Sequence, residues 1–254
     1  MTVRWTYAFI DRPAERLDTA LAFWTAVTDT RTSDRRGDQG EFTTLLPRTG
    51  ADPCVKAQGT ASGPGGAHLD FSVDDVDAFA ERAVRLGART RARHDGWTVL
   101  RSPAGHAFCA VPWQGETVRP PVVHGSRLDQ VCLDTPPSAH DTEVAFWTGL
   151  LTGAEGAGWE SVTSPLPEFH AVVPPPGLPV RVLLQRLGAE QPAAAHLDLS
   201  CADLDATAAA HERLGATVVH RATYWIVLRD PAGGTYCLTG RDPETGGRPN
   251  PESA

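Results

Sequence analysis

A chain of 254 residues, 41% of them hydrophobic, is long enough to bury two ordinary cores. Its formal net charge of −8, with no dense run of Lys and Arg, argues against a nucleic-acid partner, whose phosphates demand clustered cations. No apolar stretch approaches the roughly 20 residues of a membrane helix, and MTVRWTYAFIDRP at the start lacks a signal peptide's unbroken apolar core, so a soluble cytoplasmic protein with no membrane partner is expected.

The first segment, Arg4 to Asp11, reads as a strand and is followed by a helical stretch holding AFWT at Ala22 to Thr25. Further strands are expected over Glu41 to Leu46 and Pro53 to Gln58. Then Leu69, Phe71 and Val73 alternate with His68, Asp70 and Ser72, the period of a strand with one apolar and one polar face. Val76, Phe79, Ala80 and Ala83 recur at helical spacing, with Asp75 placed to cap the start and Gly87 to stop the end. A short segment Arg89 to Arg93, a strand Trp97 to Arg101, a tight turn Ser102-Pro103-Ala104-Gly105 and a strand Ala107 to Val111 complete a βαβββ order.

Residues 195–239 repeat residues 67–111 without a gap at a constant offset of 128, so that His196 stands where His68 stands. Upstream, Arg127 to Asp134 parallels Arg4 to Asp11, and AFWT returns at Ala145 to Thr148. The chain therefore reads as four βαβββ modules in two domains, residues 1–114 and 126–241. They are joined by a Pro/Gly-containing linker, 115–125, and followed by a polar flexible tail, 242–254. The five cysteines, an odd number without C-x-x-C spacing, suit free thiols in a reducing compartment. Nearly all the positive charge is Arg, Lys56 being the only lysine, which points to a GC-rich bacterial source.

The polar faces carry the chemistry. His68, Asp70 and Ser72 share one face with Cys109 of the last strand, and His196, Asp198 and Ser200 share one with Cys237, giving each half an imidazole, a carboxylate, a hydroxyl and a thiol. The strand openings HLDFSVDDVD and HLDLSCADLD, the RLGA at each helix end, the W-x-V-L-R-[SD]-P-A-G hairpin and the AFW helix resemble the vicinal oxygen chelate superfamily, specifically its glyoxalase/bleomycin-resistance-like domains. The resemblance covers about residues 4–113 and 127–240. It implies an α+β fold of two domains, each a curved, open, eight-stranded sheet with helices on the outer face and, in catalytic members, a divalent metal in the hollow.

Carried onto this chain, the family's ligand positions fall on Tyr7, Gln58, His68 and Cys109 in the first half and on Gln130, Gln185, His196 and Cys237 in the second. The last-strand position that resembles the family's glutamate is Cys in both halves, and a hard ion prefers charged oxygen. No cofactor is therefore favoured. The alternative is a divalent metal (Zn, Fe, Ni or Mn) on His196, Gln130, Gln185 and Cys237.

For His68 and His196 the plain alternative to a functional role is a structural histidine, and for Asp70 and Asp198 a strand or cap hydrogen-bond partner; the four are nevertheless the catalytic candidates. Cys109 and Cys237 read as small buried hydrophobes before nucleophiles. Trp24 and Trp147 read as core. Trp97 and Trp225 on the hairpins are candidate ligand-binding residues, as is Trp159 in the unrepeated GAEGAGWE loop. What these readings favour together is a small-molecule-binding glyoxalase-like protein with a degenerate metal site, of the natural-product or antibiotic-binding kind, with a homodimer as an open arrangement. The alternatives are a metal-dependent lyase, isomerase or oxygenase, and a metal-free acid–base enzyme using the His/Asp pairs.

Overall fold

The structure, a computed structural model, describes residues 2–153 and 158–248. The order strand, helix, three strands occurs four times. The first module is β1 (Val3–Pro13), α1 (Leu17–Thr28), β2 (Thr30–Thr32), β3 (Phe42–Pro47) and β4 (Val55–Thr60). The second is β5 (Gly66–Val73), α2 (Val76–Arg85), β6 (Arg89–His94), β7 (Trp97–Arg101) and β8 (Ala107–Pro112). The third is β9 (Ser126–Thr135), α3 (His140–Leu151), β10 (Glu160–Thr163), β11 (Phe169–Val173) and β12 (Arg181–Arg186). The fourth is β13 (Ala194–Cys201), α4 (Leu204–Arg213), β14 (Thr217–Arg221), β15 (Trp225–Arg229) and β16 (Thr235–Gly240).

Two open eight-stranded sheets result, ordered β2-β3-β4-β1-β5-β8-β7-β6 and β10-β11-β12-β9-β13-β16-β15-β14, the expected α+β class. The β5–β8 and β13–β16 pairs are parallel, whereas β7–β8 and β15–β16 are antiparallel. The chain forms two compact units, each drawing on both halves of the sequence. The first holds Met1–Ala8, Ala67–Thr117 and Val131–Ala195; the second holds Phe9–Gly66, Val118–Gln130 and His196–Ala254. Among the described residues no helix is long and apolar enough to cross a membrane.

Local chemistry explains the elements that carry the site. α2 starts because Asp75 accepts a hydrogen bond from Ala78 N at 2.9 Å, and α4 starts in the same way with Asp203 and Ala206 N at 2.9 Å. Each cap is worth about 1 kcal/mol. Both helices end where Gly87 (φ +110°) and Gly215 (φ +97°) adopt a backbone that a side chain would resist. Phe79, Ala80 and Ala83 of α2 are buried, and the Phe79 ring lies 5.6 Å from Phe71 of β5. Phe108 and Trp147 complete that core with ring centroids 5.0 Å apart, while Phe23, Trp24 and Tyr236 fill the second unit. Trp24 and Trp147 are thus core residues, as the helical pattern predicts. Burying one apolar face of β5 and β13 against helices leaves the alternate residues on the other face, and those residues hold the chemistry.

Candidate functional site

Each unit contains one buried cluster of three donors. In the first unit His68 and Asp70 stand two residues apart on β5, and Cys109 is the cross-strand neighbour of Asp70 on β8. In the second unit His196 and Asp198 on β13 meet Cys237 of β16 in the same register. Within each trio the imidazole, carboxylate and sulfur atoms all lie within 4.8 Å of one another, and all six residues are buried or nearly so. His68 Nε2 is 3.8 Å from Asp70 Oδ1, and His196 Nε2 is 3.3 Å from Asp198 Oδ1. Cys109 and Cys237 stand where the family resemblance implies a glutamate, and the carboxylate of each cluster comes from two residues beyond the histidine.

The two clusters differ in what the first strand of their half brings. Gln130 on β9 is 1% exposed, and its Nε2 donates to Asp198 Oδ2 at 2.6 Å. The carboxylate fixes the amide's orientation, because the flipped amide would set two oxygens against each other. That leaves Gln130 Oε1 buried with no hydrogen-bond partner among the described residues. In the first half the equivalent β1 position is Tyr7, whose hydroxyl donates to the carboxylate of Glu116.

Glu116 is a residue the sequence reading missed. It follows β8 inside the expected linker, yet it is only 9% exposed. Its other carboxylate oxygen accepts from Gln114 N at 3.1 Å, and its carbonyl accepts from the Trp113 indole at 3.1 Å. Glu244 stands at the repeat-equivalent position after β16 and does the opposite. Its side chain is 70% exposed and reaches Arg127, 3.4 Å away, while its carbonyl accepts from Arg127 Nη2 at 2.5 Å. The only available signal was that shared offset, which no pattern marked as directional. Replacing Glu116 with Ala removes the carboxylate that accepts from the Tyr7 hydroxyl and from Gln114 N, with an expected loss of about 2 kcal/mol in urea unfolding. Tyr7→Phe is expected to lose about 1 kcal/mol, since Glu116 then keeps one donor.

The remaining sequence-predicted residues fall as follows. Gln58 stands opposite Phe42 on β4 in the second unit, and Gln185 opposite Phe169 on β12 in the first. Neither shares a compact unit with the cluster of its own half. Gln185 Oε1 accepts from Cys132 Sγ at 3.6 Å. Trp97 is stacked on His94, ring centroids 3.9 Å apart and 9° from parallel. Trp225 is half-buried on β15. Trp159 is buried, while 154–157 of its loop lie outside the described residues. All five cysteines are free and buried. Burial pushes the Cys54 thiol up to about 12, against the pull of Arg119 and Arg127, and pushes Cys201 up to about 11. Neither is a thiolate at neutral pH.

The donor sets fit a borderline ion better than a hard one. A nitrogen and a carboxylate oxygen on a tetrahedral ion, with bonds of about 2.0–2.2 Å, stand roughly 3.3–3.5 Å apart, which the 3.3 Å His196–Asp198 separation meets and the 3.8 Å of His68–Asp70 exceeds. One nitrogen, one carboxylate oxygen and one sulfur suit zinc, whereas magnesium and manganese prefer oxygen throughout. Held by His196, Asp198 and Cys237, or by His68, Asp70 and Cys109, such an ion would supply Lewis-acid polarisation.

Comparison with known proteins places these features in context. A family model described as "Glyoxalase-like domain" matches residues 7–111 and 130–239. No curated protein matches the chain by sequence. Among solved structures, a variant of homoprotocatechuate 2,3-dioxygenase from B. fuscum aligns with TM-score 0.60 and 17% identity, covering 98% of this chain and 74% of that one. A variant of 4-hydroxymandelate synthase from Streptomyces coelicolor aligns with TM-score 0.59 and 14% identity, covering 96% and 93%. The 2,2',3-trihydroxybiphenyl 1,2-dioxygenase of Sphingomonas wittichii aligns with TM-score 0.56 and 16% identity, covering 92% and 88%. In a xylose isomerase-like TIM barrel/4-hydroxyphenylpyruvate dioxygenase fusion protein, this chain spans 48% of the aligned chain. At these identities the likeness is one of fold.

Proposed function

Because the chain belongs to the glyoxalase-like domain family, its four modules building two open sheets, we propose that it binds a small molecule against the His196–Asp198–Cys237 cluster of its second unit. The observation that carries this reading is the difference between the halves. Tyr7 is engaged by the protein's own Glu116, whereas the equivalent Gln130 keeps a buried acceptor oxygen unmatched. A buried acceptor without a donor costs about 1–3 kcal/mol, a cost that a bound ligand removes. The reading predicts one ligand per chain in native mass spectrometry of protein drawn from a metabolite mixture, and loss of that ligand in His196→Ala. Two equivalent ligands per chain, or none across a broad panel, would overturn it.

A second reading is favoured by the donor spacing alone: an ion at His196, Asp198 and Cys237 supporting lyase, isomerase or oxygenase chemistry. Elemental analysis of protein purified without chelators tests it. Stoichiometric zinc, iron or nickel that disappears in Cys237→Ser supports it, and sub-stoichiometric metal sinks it.

A further inference from the structure

Resting on the binding reading above, we infer that the ligand of the second unit is an organic ammonium ion: a protonated amine carried on an apolar or aromatic body. Three observations converge on that class. Gln130 Oε1 is buried and acceptor-only, and its orientation is fixed by the 2.6 Å bond from its own Nε2 to Asp198. Asp198, 3% exposed, accepts on Oδ2 from Gln130; its Oδ1 faces His196 Nε2 at 3.3 Å and accepts no hydrogen bond among the described residues. An amide oxygen and a carboxylate oxygen, both out of water on side chains joined by one hydrogen bond, ask for a donor with positive charge, because an anion or a further acceptor would be repelled by both.

The third observation separates an organic cation from a bare ion. In the antiparallel register of β15 with β16, Val227 stands beside Cys237 and Trp225 beside Thr239, so Trp225 shares the sheet face of Asp198 and Cys237. Its Cα lies about one strand across and two residues along from Cys237, roughly 8 Å away. A half-buried indole at that remove has no part in coordinating a metal. It matches the hydrocarbon of an alkyl- or arylammonium, through apolar contact and the attraction of a cation to the ring face. In the first unit the position of Gln130 is taken by Tyr7, whose hydroxyl already faces a carboxylate.

The test uses one body with three head groups: tryptamine, tryptophol and indole-3-acetate, titrated calorimetrically into the full chain at pH 7, with zinc chloride alone as a fourth arm. Tryptamine is expected to bind at least tenfold more tightly than tryptophol, with indole-3-acetate weakest. Asp198→Asn, which keeps the side chain's shape, should weaken tryptamine binding by tenfold or more, and Trp225→Ala by a smaller factor. The ranking on unaltered protein stands even if a variant fails to fold. Preference for tryptophol or indole-3-acetate, lost in Asp198→Asn, would overturn the ammonium class while leaving the binding reading intact. Stoichiometric zinc uptake without amine binding, or no binding in any arm, would overturn the ammonium class, whereas the binding reading falls when native mass spectrometry finds no ligand across the broad panel.

Discussion

Asp230→Ala is expected to destabilise the protein by about 3–5 kcal/mol, the largest effect of any single substitution considered, because it removes the partner of a buried cation. Asp230 sits in the turn before β16 and is fully enclosed. Its Oδ2 accepts from Arg12 Nη2 at 2.5 Å and from the Trp24 indole at 3.0 Å, while Oδ1 accepts from Gly234 N at 2.9 Å. The Arg12 side chain is 3% exposed, so alanine at 230 leaves a guanidinium with neither water nor counter-ion. Urea unfolding should show a lower midpoint with unchanged slope, and Asp230→Asn should fall between the two. A midpoint within experimental error of the unaltered protein would show that Arg12 finds another partner, and the account of this centre would fail.

The same centre explains a break in the internal repeat. A methyl group at Gly234 would overlap the Arg12 guanidinium, which its ion pair holds in place. In the first unit the equivalent positions are Thr135 for Arg12, His106 for Gly234 and Ser102 for Asp230. There the carboxylate comes from α3: Glu143 accepts from Trp147 Nε1 at 2.8 Å and from Ala104 N at 2.9 Å. His106 Nε2 lies 3.3 Å from Thr135 Oγ1 in the space that arginine fills elsewhere. The two arrangements exchange as sets, so Gly234→His alone clashes, and it is tolerated only with Arg12 shortened and the acid moved.

Acidification is expected to weaken the second unit in a defined window. His211 is buried, with Nδ1 2.8 Å from the Tyr236 hydroxyl and its ring edge-on to Phe23. Burial, with a smaller contribution from His124, pushes its pKa down from 6.5 to about 4. The unfolded chain therefore takes up the proton first. This contribution to stability is complete above pH 6.5, is lost as the pH falls from 6.5 towards 4, and changes no further below that, where both states are protonated. The full span is about 3 kcal/mol. Ala83 and Phe108 occupy the equivalent places in the first half, so His211→Ala with Tyr236→Phe copies a pairing the protein already uses. Between pH 6.5 and 4 the double variant should lose less stability than the unaltered chain; parallel stability curves would remove His211 from the explanation.

The repeat made the frame legible. Asp75 and Asp203 cap helices, Gly87 and Gly215 end them, and the hairpin strands stand where alternation puts them, because each depends on neighbours within a few residues. The polar faces were legible too: one strand period sets His68 with Asp70 and His196 with Asp198. What the pattern could not carry was direction and distance. Glu116 and Glu244 share an offset and point opposite ways. Arg12 and Asp230 are 218 residues apart, and no local periodicity links such a pair. Alternation puts Cys109 on the face of Asp70 and Cys237 on that of Asp198, but only the cross-strand register makes each pair direct neighbours.

The parallel pairing of β13 with β16 also bears on how the chain is made. β13 leaves the ribosome with one edge waiting for a strand that is translated only after α4, β14 and β15. Until β16 threads into the gap, the nascent sheet presents two unzipped edges to every other growing chain nearby. Stalling or truncation between Asp230 and Thr235 therefore yields a sticky fragment missing an interior strand, and synthesis through Gly240 is the step that commits this sheet to its native form.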